Sequence, residues 1–154
     1  KMGNNLITIE GYNLLLEKID NLRDKLKIAN NDVSEGATDY DFREDSRLTI
    51  AMEEREKIQK KLESIETVIN ESIITRPDHT TDSVSFGRSA KVINLDTDEP
   101  RHFTIVGIHE SDPKQGKISY RSPFGQALLN LAAGDEFEVI TPTAETYWEV
   151  LEVL

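Results

Sequence analysis

Two heptad series separated by one short polar stretch constrain this chain more than any other feature. From Leu15 the apolar positions run Leu15, Ile19, Leu22, Leu26, Ala29 and Val33, in the alternating steps of four and three that keep one helix face against a partner. A second series runs Leu48, Met52, Arg55, Ile58, Leu62, Ile65 and Ile69, with Arg55 the one polar residue on the seam. Between them, Ser34 to Tyr40 holds Gly36, Thr38 and Asp39, which are poor helix formers. So short a connection makes the flanking helices antiparallel neighbours, and the first half is expected to form a helical hairpin. Thr8 is the candidate N-cap, Glu10 complements the helix dipole in the first turn, and Gly11 is a minor cost there. A first helix of roughly 27 residues extends about 40 Å, longer than a small domain is wide, so the hairpin should project.

The second half follows a different period. Arg76-Pro77-Asp78 ends the second helix, because proline drives the residue before it out of the α region, and Thr80 to Ser83 reads as linker. Short β-type runs follow at Ser89 to Leu95, Arg101 to Ile108, Lys117 to Tyr120, Glu136 to Ile140 and Tyr147 to Val153. Phe124 to Leu131 reads as one short helix with Ser122 as N-cap and Pro123 at its first position. The expected fold is α+β: a hairpin domain over 2–76, a linker over 77–83, and a small antiparallel sheet domain with one short helix over 84–154.

Composition narrows the function classes. The formal net charge of −11 argues against a protein whose main task is gripping a phosphate backbone, since that affinity comes from counterions displaced by Lys and Arg. With no cysteine, disulfides, thiolate metal sites and thiol nucleophiles are excluded. Neither a stretch of signal-peptide character nor a run near the ~20 apolar residues of a membrane span occurs, so a soluble, cytoplasmic protein with no membrane partner is expected. His79, His102 and His109 have no ligand spacing and receive no role. No Gly-x-Ser-x-Gly or comparable nucleophile turn is present, which speaks against a self-contained hydrolase.

Acidic residues crowd the hairpin turn: Asp32, Glu35, Asp39, Asp41, Glu44 and Asp45, with Arg43 the only base in that stretch. Two readings are open. Helix starts favour Asp and Glu, and Asp41 suits a cap of the second helix. Alternatively Asp41 and Glu44, three apart, place two carboxylates on one face, a spacing suited to a hard oxygen-ligated ion such as Mg²⁺. Two carboxylates leave most of an octahedral shell to water, so a catalytic ion there would need further ligands from a partner.

The segment Asp41-Phe42-Arg43-Glu44-Asp45 resembles the Asp-Leu-Lys-Glu-Asn motif at the coiled-coil tip of the GreA/GreB transcript-cleavage factors. Phe86-Gly87, Val92-x-Asn94-Leu95-Asp96-x-Asp98, Ile105-Val106-Gly107-x-x-Glu110-x-Asp112, Ile118-Ser119, Ser122-Pro123-x-Gly125-x-Ala127-Leu128-Leu129 and Gly134-Asp135 resemble, in order and spacing, the C-terminal domain of the same family. The resemblance covers nearly the whole chain. It implies a coiled coil inserted through the secondary channel of bacterial RNA polymerase and an FKBP-like C-terminal domain docked at the channel rim, where Ser122, Pro123 and Phe124 would meet the enzyme. It further implies that Asp41 and Glu44 help hold a second Mg²⁺, shared with the polymerase, and that backtracked RNA is hydrolysed near its 3′ end. On this account the protein is a monomeric accessory factor with no turnover of its own.

Asp39-Tyr40-Asp41 departs from the usual Gly-Asp of that tip and resembles the acid-rich tip of Gre-fold inhibitors, which occupy the same channel and suppress the polymerase. Arg43, Arg47 and Arg55 are scattered among acids instead of forming the basic patch that contacts extruded RNA in some Gre factors. Phe124 suits either a partner contact or packing on the sheet. Prolyl isomerase activity would need an aromatic-lined pocket. A dimerising coiled coil would have to bury Arg55 and the tip acids in its interface.

Overall fold

The computed structural model describes residues 5–38 and 46–154. They form two compact units, residues 12–71 and residues 5–11 together with 72–154.

The first unit is the hairpin. Helix α1 spans Ile9–Thr38 and α2 spans Ser46–Glu71. Leu15, Ile19, Leu22 and Ala29 are buried along α1, and Leu62 is buried on α2. Ile19, Leu22 and Leu62 form the centre of a cluster joined by Leu26, Ile58, Ile65 and Ile69. Arg23 and Glu66 bridge the two helices at 3.3 Å, both well exposed. Two details differ from the sequence reading. Ser34 to Thr38 is helix, not connection: once a helix is nucleated each further residue adds a hydrogen bond, and one glycine costs only about 1 kcal/mol. On α2, Met52 is 47% exposed while Ala51 is half-buried. The seam therefore runs Leu48, Ala51, Arg55, Ile58, a strict three–four alternation that the small side chain of Ala51 hides.

The second unit is built on a five-stranded sheet. Strands β3 (Ser89–Asn94), β4 (Pro100–Val106), β5 (Lys117–Ser119), β6 (Glu136–Ile140) and β7 (Glu145–Val153) stand in the order β5-β4-β3-β7-β6. Three of the pairings are antiparallel, but β4 and β5 run parallel, with Ile105 opposite Ile118. This corrects the expectation of a wholly antiparallel sheet. Instead of a tight hairpin, the link between β4 and β5 holds two 3-10 turns, Ile108–Glu110 and Pro113–Gln115, which give the chain length to return in the same direction. Helix α3 (Pro123–Leu128) covers one face. Under it lies the core of Val84, Val92, Ile105, Leu128, Val150 and their neighbours. Trp148 is buried and Tyr147 exposed, as the two-residue period of a strand requires.

Two short strands were absent from the sequence reading. Strand β1 (Asn5–Ile7) pairs in parallel with β2 (Ser72–Ile74), Ile7 standing opposite Ile74. The sequence placed Ser72 to Ile74 in the second helix. The Ser-Ile-Ile-Thr run has β-branched residues that suit a pleated strand, and β1 supplies the partner that makes pairing possible. Ile7 is only 2% exposed.

Candidate functional site

Asp41 and Glu44, with Asp39 and Tyr40 beside them, lie outside the described residues. The elements on either side are described: α1 ends at Thr38 and α2 begins at Ser46, so the acidic segment joins the two helices of the hairpin. Among the described residues no group of three or more His, Asp or Glu side chains could hold a metal ion. The donor chemistry of Asp41 and Glu44 suits a hard cation, with two carboxylates and no competing nitrogen or sulfur ligand in the segment.

The second candidate, Ser122-Pro123-Phe124, is fully described. Ser122 caps α3: its hydroxyl accepts from the Gly125 amide at 3.0 Å and donates to the Ser119 carbonyl at 2.7 Å. Pro123 takes the first helical position, where its missing N–H costs nothing, and its ring is exposed. Gly125 is required by close approach, because a Cβ there would overlap the Ser119 carbonyl. Phe124 is half-buried and packs on the sheet, its ring edge-on to Phe103 at 4.8 Å, Trp148 at 5.2 Å and Phe137 at 5.5 Å. These aromatic edges and faces hold the Ser-Pro turn rigidly over the core. Beside it opens a groove of about 320 Å³ whose lining includes Pro113, Ile118, Pro123, Phe124, Val139 and Thr146. His79, His102 and His109 are all exposed.

A third cluster escaped the sequence reading. Glu110, in the turn after β4, accepts from the Thr8 amide at 3.0 Å, from the Thr8 hydroxyl, and from the Gly107 amide at 2.9 Å. The Thr8 hydroxyl in turn accepts from the Gly11 amide at 3.0 Å, so Thr8 is the N-cap of α1, as its sequence position suggested. Only the Gly107-x-x-Glu110 spacing pointed to this residue.

Residues 79–154 match the family model described as "Transcription elongation factor, GreA/GreB, C-term". Transcription elongation factor GreA of Clostridioides difficile is 34% identical over 96% of this chain and 94% of its own length, and that of Helicobacter hepaticus is 31% identical over 99% and 94%. Among solved structures, GreA factor homolog 1 of Thermus thermophilus matches over 99% of both chains at 23% identity with a TM-score of 0.47. No helix of the described residues is long and apolar enough to cross a membrane. With sequence likeness running across the hairpin and the sheet unit alike, the chain belongs to the GreA/GreB family of transcription elongation factors.

Proposed function

We propose that this chain is an accessory factor of bacterial RNA polymerase that enters the secondary channel with its hairpin and stimulates the enzyme's own hydrolysis of backtracked RNA. The observation that carries the reading is the pair Asp41 and Glu44, held in the segment between two long helices that share a buried seam. Two carboxylates complete a metal shell only when a partner provides the rest. Bound jointly with the polymerase, a second Mg²⁺ ion would act beside the one the enzyme holds itself, one ion activating water and the other supporting the leaving oxygen. Asp41 and Glu44 would hold that ion and orient the water, and the nascent RNA 3′ end would be the substrate. The isolated chain has no turnover on this account and acts as a monomer in the cytoplasm.

The Ser122-Pro123 turn is proposed to dock on the polymerase, with Phe124 acting from beneath as its support. In favour of this role are the exposed ring of Pro123, its rigid seating and the apolar groove next to it.

The test is a halted, backtracked elongation complex. Added protein is expected to produce shortened RNA with a new 3′ end, and Asp41→Ala or Glu44→Ala to abolish the shortening while leaving polymerase binding intact. Unshortened RNA with slowed elongation would instead establish the inhibitor reading that Asp39 and Tyr40 suggest. Binding lost in the tip variants would remove Asp41 and Glu44 from a purely chemical role.

A further inference from the structure

We propose that the free edge of strand β6 is a docking site for an extended, basic segment of a partner protein, which adds to the sheet as a further strand with its Lys or Arg side chains on the outer face. This site lies wholly in the sheet unit and does not depend on the role of Asp41 and Glu44.

The five-stranded sheet has two edges, and the chain itself closes one of them. Along β5, the backbone groups of Lys117 exchange hydrogen bonds with those of Asp112 at 3.0 and 2.8 Å, and the Ser119 carbonyl accepts from the Ser122 amide and hydroxyl at 3.0 and 2.7 Å. Strand β6 stands at the other edge. Its pairing is fixed at both ends: the Asp135 carbonyl accepts from the Val150 amide at 2.8 Å, and the Thr141 amide donates to the Ala144 carbonyl at 2.8 Å. Antiparallel partners exchange bonds at every second residue, so Phe137 and Val139 turn their backbone groups to β7, while Glu136, Glu138 and Ile140 turn theirs outward. Among the described residues nothing bonds to these outward groups. Such a row of amides and carbonyls is a template for another strand.

Charge selects the strand that fits. From Ser122 to Leu154 the chain contains no Lys, Arg or His, and it carries Asp135, Glu136, Glu138, Glu145, Glu149 and Glu152. By register Glu136 stands opposite Glu149, Glu138 opposite Tyr147, and Ile140 opposite Glu145, on the face away from the buried Val139 and Trp148. Like charges directly opposite each other are unfavourable in a sheet. The same charges, Glu138 first and Glu145 next, hold the Tyr147 hydroxyl above its ordinary pKa. Carboxylates on an edge strand also keep copies of a chain from pairing, which accounts for Glu136 and Glu138 but not for Glu145 and Glu149 one strand further in. A basic strand offsets all four. A second copy, bringing its own glutamates, would add to the repulsion. The alternate side chains of the added strand turn to the α3 face, where Val139 lines the apolar groove with Pro123 and Phe124, so they are apolar.

The probe is a short capped peptide alternating lysine and valine, added to the full chain carrying an amide isotope label. On binding, the amides of Glu138 and Ile140 should shift and exchange more slowly with solvent, and the affinity should fall as salt is raised. Glu136→Lys combined with Glu138→Lys turns two attractions into repulsions and should weaken binding about 10-fold or more. The same peptide with its backbone amides N-methylated keeps the charge, loses the donors, and should not bind measurably. Ile140→Pro removes one edge amide without touching the ladder to β7 and should weaken binding about 5-fold or more; the methylated peptide makes the same test should that variant fail to fold. Unshifted Glu138 and Ile140 amides, equal binding by the methylated peptide, or equal binding by a glutamate–valine peptide would each overturn the proposal. So would protection of those two amides that grows with protein concentration in the absence of peptide, since the occupant would then be a second copy of the chain.

Discussion

Arg88 is 6% exposed, yet its hydrogen-bond partners are carbonyls: Leu154 and Ser83 at 3.1 Å each, and Thr81. One guanidinium fork thus ties the segment before β3 to the far end of β7, which a lysine with a single nitrogen cannot reproduce. Arg88→Met leaves three carbonyls short of a donor and should destabilise the protein by about 2–4 kcal/mol in urea unfolding, with Arg88→Lys in between. Asp78 makes a smaller, pH-dependent contribution. The Thr80 hydroxyl and amide donate to its Oδ1 at 2.5 and 2.9 Å and hold its carboxyl below the ordinary value, assisted by the charges of Arg88 and His79. Because the folded pKa is the lower one, this stabilisation is present above the unfolded pKa and is lost as pH falls through the folded one. A carboxyl-carbon NMR titration should show a low midpoint for Asp78 that rises in Thr80→Val; an unmoved midpoint would remove Thr80 as the cause. At this scale the sequence is readable where partners are local. Thr8 and Ser122 announce themselves as caps because the amides that donate to their hydroxyls lie three residues on. Glu110 and Arg88 do not, since Thr8 is 102 positions from the one and Leu154 is 66 from the other.

Within the hairpin, burial separates two kinds of apolar residue that composition treats alike. Leu22 is 7% exposed in the cluster with Ile19 and Leu62, whereas Ile28 and Ile50 are 62% and 63% exposed. Leu22→Ala should cost about 2–4 kcal/mol and Ile28→Ala or Ile50→Ala no more than ~0.5, measured by thermal unfolding. Equal losses at all three positions would mean that the seam is not where the hairpin's stability resides. Periodicity found this seam on α1 and misplaced one residue on α2, because Ala51 is too small to stand out beside Met52. Strand pairing was less legible. That β4 and β5 run parallel depends on the turns at Ile108–Glu110 and Pro113–Gln115, whose lengths no alternation pattern encodes. Strand β2 was read as helix because three residues after a 26-residue helix carry no period of their own, and their partner lies 67 positions earlier in the chain at Asn5.

At the scale of the molecule, the sheet unit is discontinuous in sequence. The proline at 77 marks where the second helix can no longer continue, but the compact unit resumes earlier, at Ser72, and includes residues 5–11. Strand β1 brings Ile7 to 2% exposure, places Leu6 against the sheet core, and gives Thr75 its acceptor, the Ile7 carbonyl at 2.9 Å. A piece cut at the linker, 77–154, therefore lacks both β1 and β2, although it contains the five-stranded sheet and almost all of its buried core. Replacing Tyr12–Glu71 by a flexible linker of ~10 residues would keep β1 and β2 while removing the hairpin, and such a length suffices for the return that a parallel pair requires. Burial of Ile7 alone is worth about 2–3 kcal/mol, and the hydrogen bonds to Glu110 and Tyr120 add to it. The linked chain should thus unfold at a distinctly higher urea midpoint than 77–154, and Ile7→Ala in it should remove most of the difference. Equal midpoints would show that β1 and β2 are passengers on a domain that begins at the linker. A higher midpoint for the linked chain would show that the sheet domain is closed by the strands from which the hairpin starts and to which it returns.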